Sequence, residues 1–465
     1  MYPRTHSITV DDVEAWLDAH AITWVRTDGI TVDGLVVGKH LHRAKFLNAL
    51  PAGNAISEIV YGMDLGGAAH FSWWPRWRRD ALGDFVQRPD LSTLRAVPGR
   101  AGVASVMVEH HDLEGAPIPV CPRACLRSVI DQVSAAGYRV LAAFELEGML
   151  FADPLPVARR KGFRNLTPMS HPAPIGYSNF NAAQLAPFFD QLLPRLDALG
   201  IAIEGWHDEA APGQFELNFA PTDALTAADS IVRTKQAIRE LCLDLGHTAT
   251  FMAKPSDAYG NGLHVHHSLR AIEDGTPVLL DDDGDMSALM RHWLGGIVAT
   301  MPAATSILLP TINSYRRLVG WAAAPTTATW AEDNKSTGVR VLTRSPSSAR
   351  IEHRLAGGDA NPYLVLATVL AGGLAGLTDG DAPPPALTVS GWGLPDGWPH
   401  LPSAIRPASD LLERDARLRT YLGDDLVDHW VESRKWEWLM FHTTGGDPTA
   451  ATVTDWELAR SFELA

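Results

Sequence analysis

Residues 144–148 read FELEG, inside an apolar run that begins at Val140 and resumes with Met149, Leu150 and Phe151. Such a run is that of a strand buried in a sheet. Successive side chains on a strand point to opposite faces, so Glu145 and Glu147 share one. Two carboxylates on one face of an apolar strand repel each other and lose hydration. Without partners, one of them would be protonated. Divalent cations offset that cost, and oxygens at this spacing suit hard ions such as Mg²⁺ or Mn²⁺. On its own, such a pair is more often the wet face of an edge strand. What decides between the readings is whether other strands bring matching groups.

Other segments do. Residues 204–219, EGWHDEAAPGQFELNF, place Glu209 and Glu216 on either side of a turn at Pro212 and Gly213, as if one strand ends and another begins. Residues 261–269, NGLHVHHSL, put His264 and His266 on one strand face. Residues 350–355, RIEHRL, put Arg350, Glu352 and Arg354 on another. One such strand is usually an exposed face. Several in one chain point to a sheet curved round a polar, metal-lined cavity, with five glutamates and two histidines as candidate ligands.

The 465 residues predict two domains. Hydrophobic content of 46% and charged content of 20% are those of a soluble globular chain, with no apolar run of membrane-span length and no signal-peptide core. Three cysteines, Cys121, Cys125 and Cys242, cannot all pair, which suits reduced thiols in a cytoplasmic protein. A formal charge of −15 argues against a nucleic-acid or membrane surface role, though not against anionic substrates in a cleft lined by arginines and metal ions. Residues 39–45, KHLHRAK, read as a solvated loop or turn. The FSWWPRWR segment, with Trp73, Trp74 and Trp77, reads as a packed loop or a wall for an organic substrate. Helical spacing is found over 11–20, 122–136, 182–199, 223–247, 288–307, 362–375, 411–421 and 426–441. Strands are expected over 22–26, 35–38, 90–97 and 104–111, the last two leading into the second domain. A Pro- and Gly-rich excursion is expected over 379–402.

FELEG, HDEAAPGQFE, NGLHVHHSL, NSYRRL and RIEHRLAGGDANPYL resemble, in order and with comparable gaps, the motifs of the glutamine synthetase superfamily. The resemblance extends over nearly the whole chain. It implies an α+β fold, with a β-grasp-like N-terminal domain (1–105) followed by a glutamine-synthetase-type catalytic α/β domain (106–465) carrying a curved antiparallel sheet. It also implies two sites for Mg²⁺ or Mn²⁺, one at Glu147, Glu209 and Glu216, the other at Glu145, His264 and Glu352. Gly260, Arg317 and Arg354 match positions that hold the glutamate substrate. His266, Ser268, Lys335, Arg340 and Arg350 match positions on the ATP side, with Arg340 and Arg350 also reaching the transferred phosphoryl group. Lys335 stands where the family usually has arginine, and keeps the charge without the fork. Asp64 falls near the aspartate that binds ammonium in ammonia-using members.

One departure bears on the acceptor. Where those members place a flap glutamate after NSYRRL, this chain has Ala323, with no acidic residue near it. The implied activity is an ATP-dependent ligase joining the γ-carboxylate of glutamate to an organic amine, such as a polyamine or ethanolamine, through a γ-glutamyl phosphate. Trp73, Trp74, Trp77 and Trp321 could line the amine pocket. The alternatives are a glutamate–ammonia ligase and a catalytically inactive binding protein. By the same resemblance the chain assembles as a homo-hexamer or homo-dodecamer. The tyrosine adenylylated in some members has no counterpart between Tyr363 and Tyr421.

Overall fold

The computed structural model describes residues 8–68, 82–170, 176–257, 259–319, 324–394 and 397–464. Its longest strand, Tyr138–Phe151, carries the FELEG segment. Val140, Ala142, Phe144, Leu146 and Leu150 are buried on one face, while Leu141, Ala143, Glu145 and Glu147 are half-buried on the other. The apolar face lies on a helical layer that includes Pro122–Ala135, Ala224–Leu245 and Pro362–Asp379. The other face is thereby left to chemistry.

This strand is the centre of a nine-stranded sheet. In spatial order the main path runs Trp330–Glu332, Val339–Leu342, Arg350–His353, Leu263–Ala271, Tyr138–Phe151, Gln214–Phe219, Ile203–Asp208, with two short strands also paired to Tyr138–Phe151. Every pairing is antiparallel except that of the first two strands on this path. Register sets what meets what, because a slip of one residue would turn each side chain to the other face. His264 lies opposite Glu145, Glu216 opposite both Glu147 and His207, and Glu352 opposite both His266 and Arg340.

A second, seven-stranded sheet is built mainly from residues before 112. Its strand Trp24–Ile30 pairs in parallel with Val103–His111. Helices Val13–Ala19 and Arg43–Ala49 cover it, burying Val13, Leu17 and Phe46 against Val25, Ala104, Val106 and Val108.

Several expectations are corrected. The strand Val103–His111, which spans the expected division at 105/106, belongs to the seven-stranded sheet rather than leading out of it. Residues 39–45 are no loop: Leu41 and Phe46 are buried, His40–His42 is a strand, and the His42 side chain accepts from Ala44 N–H to start a helix. Residues 90–97 hold only a short 3₁₀ turn and the two-residue strand Arg95–Ala96. The helix expected over 411–421 is two helices, Ile405–Arg414 and Ala416–Leu422, because Asp415 caps the second. Helix Asp455–Ser461 was not anticipated, although Thr454 and Glu457 form a capping box there. Helix Pro362–Asp379 is long and apolar enough to cross a membrane, yet 83% of it is buried inside the protein. The expectations for Trp73, Trp74, Trp77, Trp321 and Ala323 lie outside the described residues.

Candidate active site and metal centre

Side chains from five strands and one turn converge on the polar face of the large sheet. His264 stands between the two carboxylates of FELEG, with Nδ1 3.2 Å from Glu145 Oε2 and Nε2 3.8 Å from Glu147 Oε1. Three donor groups result, each with its ligand atoms within 4.8 Å of one another: Glu145, His264 and Glu352; Glu147, Glu216 and His264; His207, Glu209 and Glu216. All six expected metal ligands are therefore brought together. Within the expected Glu147–Glu209–Glu216 set, Glu216 is the shared member, grouped with Glu147 on one side and with Glu209 on the other.

Some participants were missed by sequence reasoning. His207 Nε2 is 3.1 Å from Glu216 Oε1, and the Asn218 amide donates to the same oxygen at 2.7 Å. Gly262 N–H and the Gln214 amide donate to Glu147 Oε2 at 2.7 and 3.2 Å. Gly262 also makes the convergence sterically feasible. A Cβ there would stand 2.7 Å from His264 Nε2, 3.1 Å from Arg317 Nη2 and 3.2 Å from Glu147 Oε1. The signal for His207 was its spacing of two from Glu209.

The carboxylates do not share one electrostatic environment. Burial opposes ionisation of Glu145, but hydrogen bonds from His264 and His266 outweigh it and hold the carboxyl below its usual range. Glu352 is fully buried; His266 and Arg354 overcome the burial cost and hold it low as well. Glu209 moves the other way, raised by burial and by repulsion from Glu147. Burial works against protonation of His207, yet Glu216 and the Asp208 carbonyl lift it to about 9. Clustered hard oxygens with imidazole nitrogen beside them, and a carboxyl destabilised by its neighbours, make a donor set that fits divalent cations.

The arginines flank this cage. Arg354 donates to Glu352 Oε1 and to the Lys335 carbonyl, while Arg340 bridges Glu352 Oε2 at 3.0 Å and Asp333. Arg350 Nε donates to His266 Nδ1 at 3.4 Å. Arg317 is buried beside Glu147, bonded through Nη1 to the carbonyls of Leu355 and Ala356, and burial lowers its pKa. Gly260 packs against the Arg317 side chain, and its carbonyl accepts from Gln214. A cleft with about 900 Å³ of empty space, open to solvent, runs from Glu145 past His266 and Ser268 to Arg350. Glutamates, His264 and His266, Ser268, and the arginines thus lie in one region, with Lys335 joined to it through Arg354.

Asp64 is placed elsewhere. Its carboxylate accepts from Trp436 Nε1 at 3.0 Å and from Arg460 Nη2 at 3.3 Å, and from the backbone of Gly66 and Ala68. Burial is outweighed by these bonds, so the carboxyl is held low and is engaged by its own chain's C-terminal helices.

Comparison with known proteins agrees with this arrangement. Residues 119–461 match the family described as glutamine synthetase, catalytic domain. The glutamate–isopropylamine ligase of Pseudomonas sp. is 31% identical over 97% of this chain and 97% of its own. The gamma-glutamylethanolamide synthetase of Streptomyces coelicolor is 31% identical over 99% and 97%. Among solved structures, a GmaS–ADP complex superposes with a TM-score of 0.82 at 25% identity, covering 96% of this chain and 98% of that one.

Proposed function

The chain belongs to the glutamine synthetase family, and from that premise we propose that it is an ATP-dependent ligase joining the γ-carboxylate of glutamate to an organic amine. The observation that carries the reading is the convergence of Glu145, Glu147, Glu209, Glu216, Glu352 and His264 on one sheet face. The family uses ATP and divalent metals; here Glu147, Glu209 and Glu216 would hold one ion and Glu145, His264 and Glu352 another, Mg²⁺ or Mn²⁺. Bound there, the ions would neutralise charge on the phosphoryl oxygens.

In this reading Arg317, Arg354 and the Gly260 backbone hold glutamate. His266, Ser268, Lys335, Arg340 and Arg350 face ATP. A γ-carboxylate oxygen of glutamate attacks the γ-phosphorus, and ADP leaves. The amine nitrogen then attacks the acyl carbon, phosphate leaves, and the amine gives up one proton. Arg340 and Arg350 oppose the charge that builds on the moving phosphoryl group, where fixed cations in a protected cleft act most strongly. Engagement of Asp64 by Arg460 and Trp436 supports an acceptor that is not captured as ammonium by that carboxylate, and two relatives named for an organic amine or its glutamyl amide point the same way. The reading includes a division between the two domains after the strand Val103–His111, a cytoplasmic setting and a homo-hexameric or homo-dodecameric assembly. Phosphate release with glutamate, ATP and a panel of amines tests it. Turnover is expected with at least one alkyl or aryl amine at concentrations where ammonium gives little. Turnover with ammonium alone, equal to that with every amine, would overturn the acceptor assignment.

A further inference from the structure

Behind Arg317 lies a second buried layer that the reaction as described does not use. Asp359 is 6% exposed. Its Oδ2 accepts from Thr311 Oγ1 at 2.9 Å and from Ser314 Oγ at 2.6 Å. Its Oδ1 has no hydrogen-bond partner among the described residues. That oxygen lies against Gly357, where a Cβ would come within 2.4 Å of it. A carboxylate buried in this way is costly unless nearby charge compensates it. Burial pushes its carboxyl above the usual range, and the Ser314 and Thr311 hydroxyls with the cations Lys235 and Arg317 work against that rise.

The connections run to Arg317 from both ends. Thr311 and Ser314 lock each other through reciprocal bonds between backbone N–H and hydroxyl, at 3.0 and 3.1 Å. They begin the turn Asn313–Arg317, so Asp359 grips the start of the segment that ends in Arg317. At the other end the Arg317 guanidinium donates to the carbonyls of Leu355 and Ala356, on the chain that leads into Asp359. That chain is itself tethered. Lys235 Nζ donates to the Gly358 carbonyl at 2.5 Å, Gly358 N–H donates to Asn261 at 2.8 Å, and Gly357 N–H donates to Leu308 at 3.1 Å. Backbone carbonyls fix the direction of the guanidinium but supply no net charge. The carboxylates acting on it are Glu147, which belongs to the metal cage, and Asp359.

We propose that Asp359 is a positioning residue for substrate binding: it fixes the Asn313–Arg317 turn and balances Arg317 from behind, leaving Nη2, beside Gly262, aimed at the acid substrate. The inference rests on the reading that Arg317 binds glutamate. It does not require Asp359 to touch substrate, nucleotide or metal.

The test is steady-state kinetics on the full-length, metal-loaded enzyme carrying Asp359→Asn, which keeps the shape and removes the charge. The expected result is a glutamate KM raised on the order of tenfold, the usual scale for losing a partner that supports a binding group. The ATP KM and kcat should stay within about twofold, since uniform loss of binding leaves kcat unchanged. Ser314→Ala removes one donor to the same carboxylate without changing charge, and should shift the glutamate KM in the same direction by less. It also keeps the inference testable if Asp359→Asn does not fold. Arg317→Gln is the reference. A raised glutamate KM in Arg317→Gln with none in Asp359→Asn or Ser314→Ala would overturn this inference alone. An unchanged glutamate KM in Arg317→Gln would overturn the placement of substrate and the inference with it. Equal rises in the glutamate and ATP KM values would reduce Asp359 to a general structural role.

Discussion

Glu209→Gln is expected to stabilise the metal-free protein and to weaken the metal-loaded one. Ligand oxygens of Glu209 and Glu216 lie within 4.8 Å of each other. At that separation two carboxylates repel by about 3 kcal/mol for an effective dielectric constant near 20. His207, lifted to about 9 and bonded to Glu216, is protonated at neutral pH and cancels most of this. Glu209 is also partly exposed, so water screens what remains. The net relief on removing the charge is roughly 0.5–1 kcal/mol. The amide keeps an oxygen for the Ala210 N–H, and its new NH₂ lies on a partly exposed side chain that water can reach. With metal bound the sign reverses. Altering the ligand set lowers affinity by roughly 10- to 100-fold. That fold-change removes roughly 1.4–2.8 kcal/mol of the stabilisation conferred by a saturating ion. Urea denaturation at pH 7, once with EDTA and once with excess Mn²⁺, reads both numbers. A metal-free variant less stable than the parent, or a metal-induced gain equal to the parent's, would refute the placement of Glu209 in a charge-strained cation site.

Two further outcomes follow from groups outside the cleft. Arg123 is fully buried and donates to Asp229 through two bonds of 2.9 Å, to Glu109 at 2.9 Å and to Asp90 at 2.7 Å. Arg123→Met strands those carboxylates and should cost about 3–5 kcal/mol in urea denaturation; a loss below about 1 kcal/mol would contradict the network's role. His110 is buried between Tyr61 and Gln87, and burial, with repulsion from His111, lowers its pKa to about 4. The unfolded chain protonates this group near 6.5 and the folded one near 4. Stability therefore falls as pH drops through that window, by about 1.4 kcal/mol per pH unit for this group. His110→Asn should flatten the measured slope between pH 6.5 and 4.5, and an unchanged slope would contradict the assignment.

The candidate site was legible where its pattern is local. Glu145 with Glu147, His264 with His266, and Arg350 with Glu352 and Arg354 each show the period of two that a strand imposes, and the structure puts each set on one face. Partners fixed by pairing between distant strands were not legible. His207 acts through its register with Glu216, and Gly262 through the space it leaves between His264, Arg317 and Glu147. Asp64 is engaged by Arg460, far along the chain, which no local pattern reveals. The strand and helix start within 39–45 were missed because most of the segment is basic and solvated, and the anchoring apolar residues are only Leu41 within it and Phe46 just beyond it. The placing of strand Val103–His111 was hidden for a related reason. A strand joined in parallel to Trp24–Ile30 is claimed by the seven-stranded sheet through contacts some eighty residues away, not through its own composition.

The large sheet also divides its carboxylates into two electrostatic classes, and the division follows from which partners the strands bring. Glu145 and Glu352 face His264, His266, Arg340 and Arg354, and both are held below the usual carboxyl range against the cost of burial. Glu147 and Glu216 receive backbone and amide donors from Gly262, Gln214 and Asn218, with His264 near Glu147 and His207 bonded to Glu216. Dipoles orient an anion without cancelling its charge, and the protonated His207 has Glu209 and Glu216 to serve together, so this second half keeps the larger demand for a cation, and Glu209, buried and repelled by Glu147, registers it as a raised pKa. In the first half the compensating cations are arginines, whose forks match phosphate as well as they match carboxylate. In the proposed reaction Arg340 would serve Glu352 in the resting protein and an incoming phosphoryl group during turnover. A single sheet face in this way separates the carboxylates that need an ion for their own stability from those already paired to arginine.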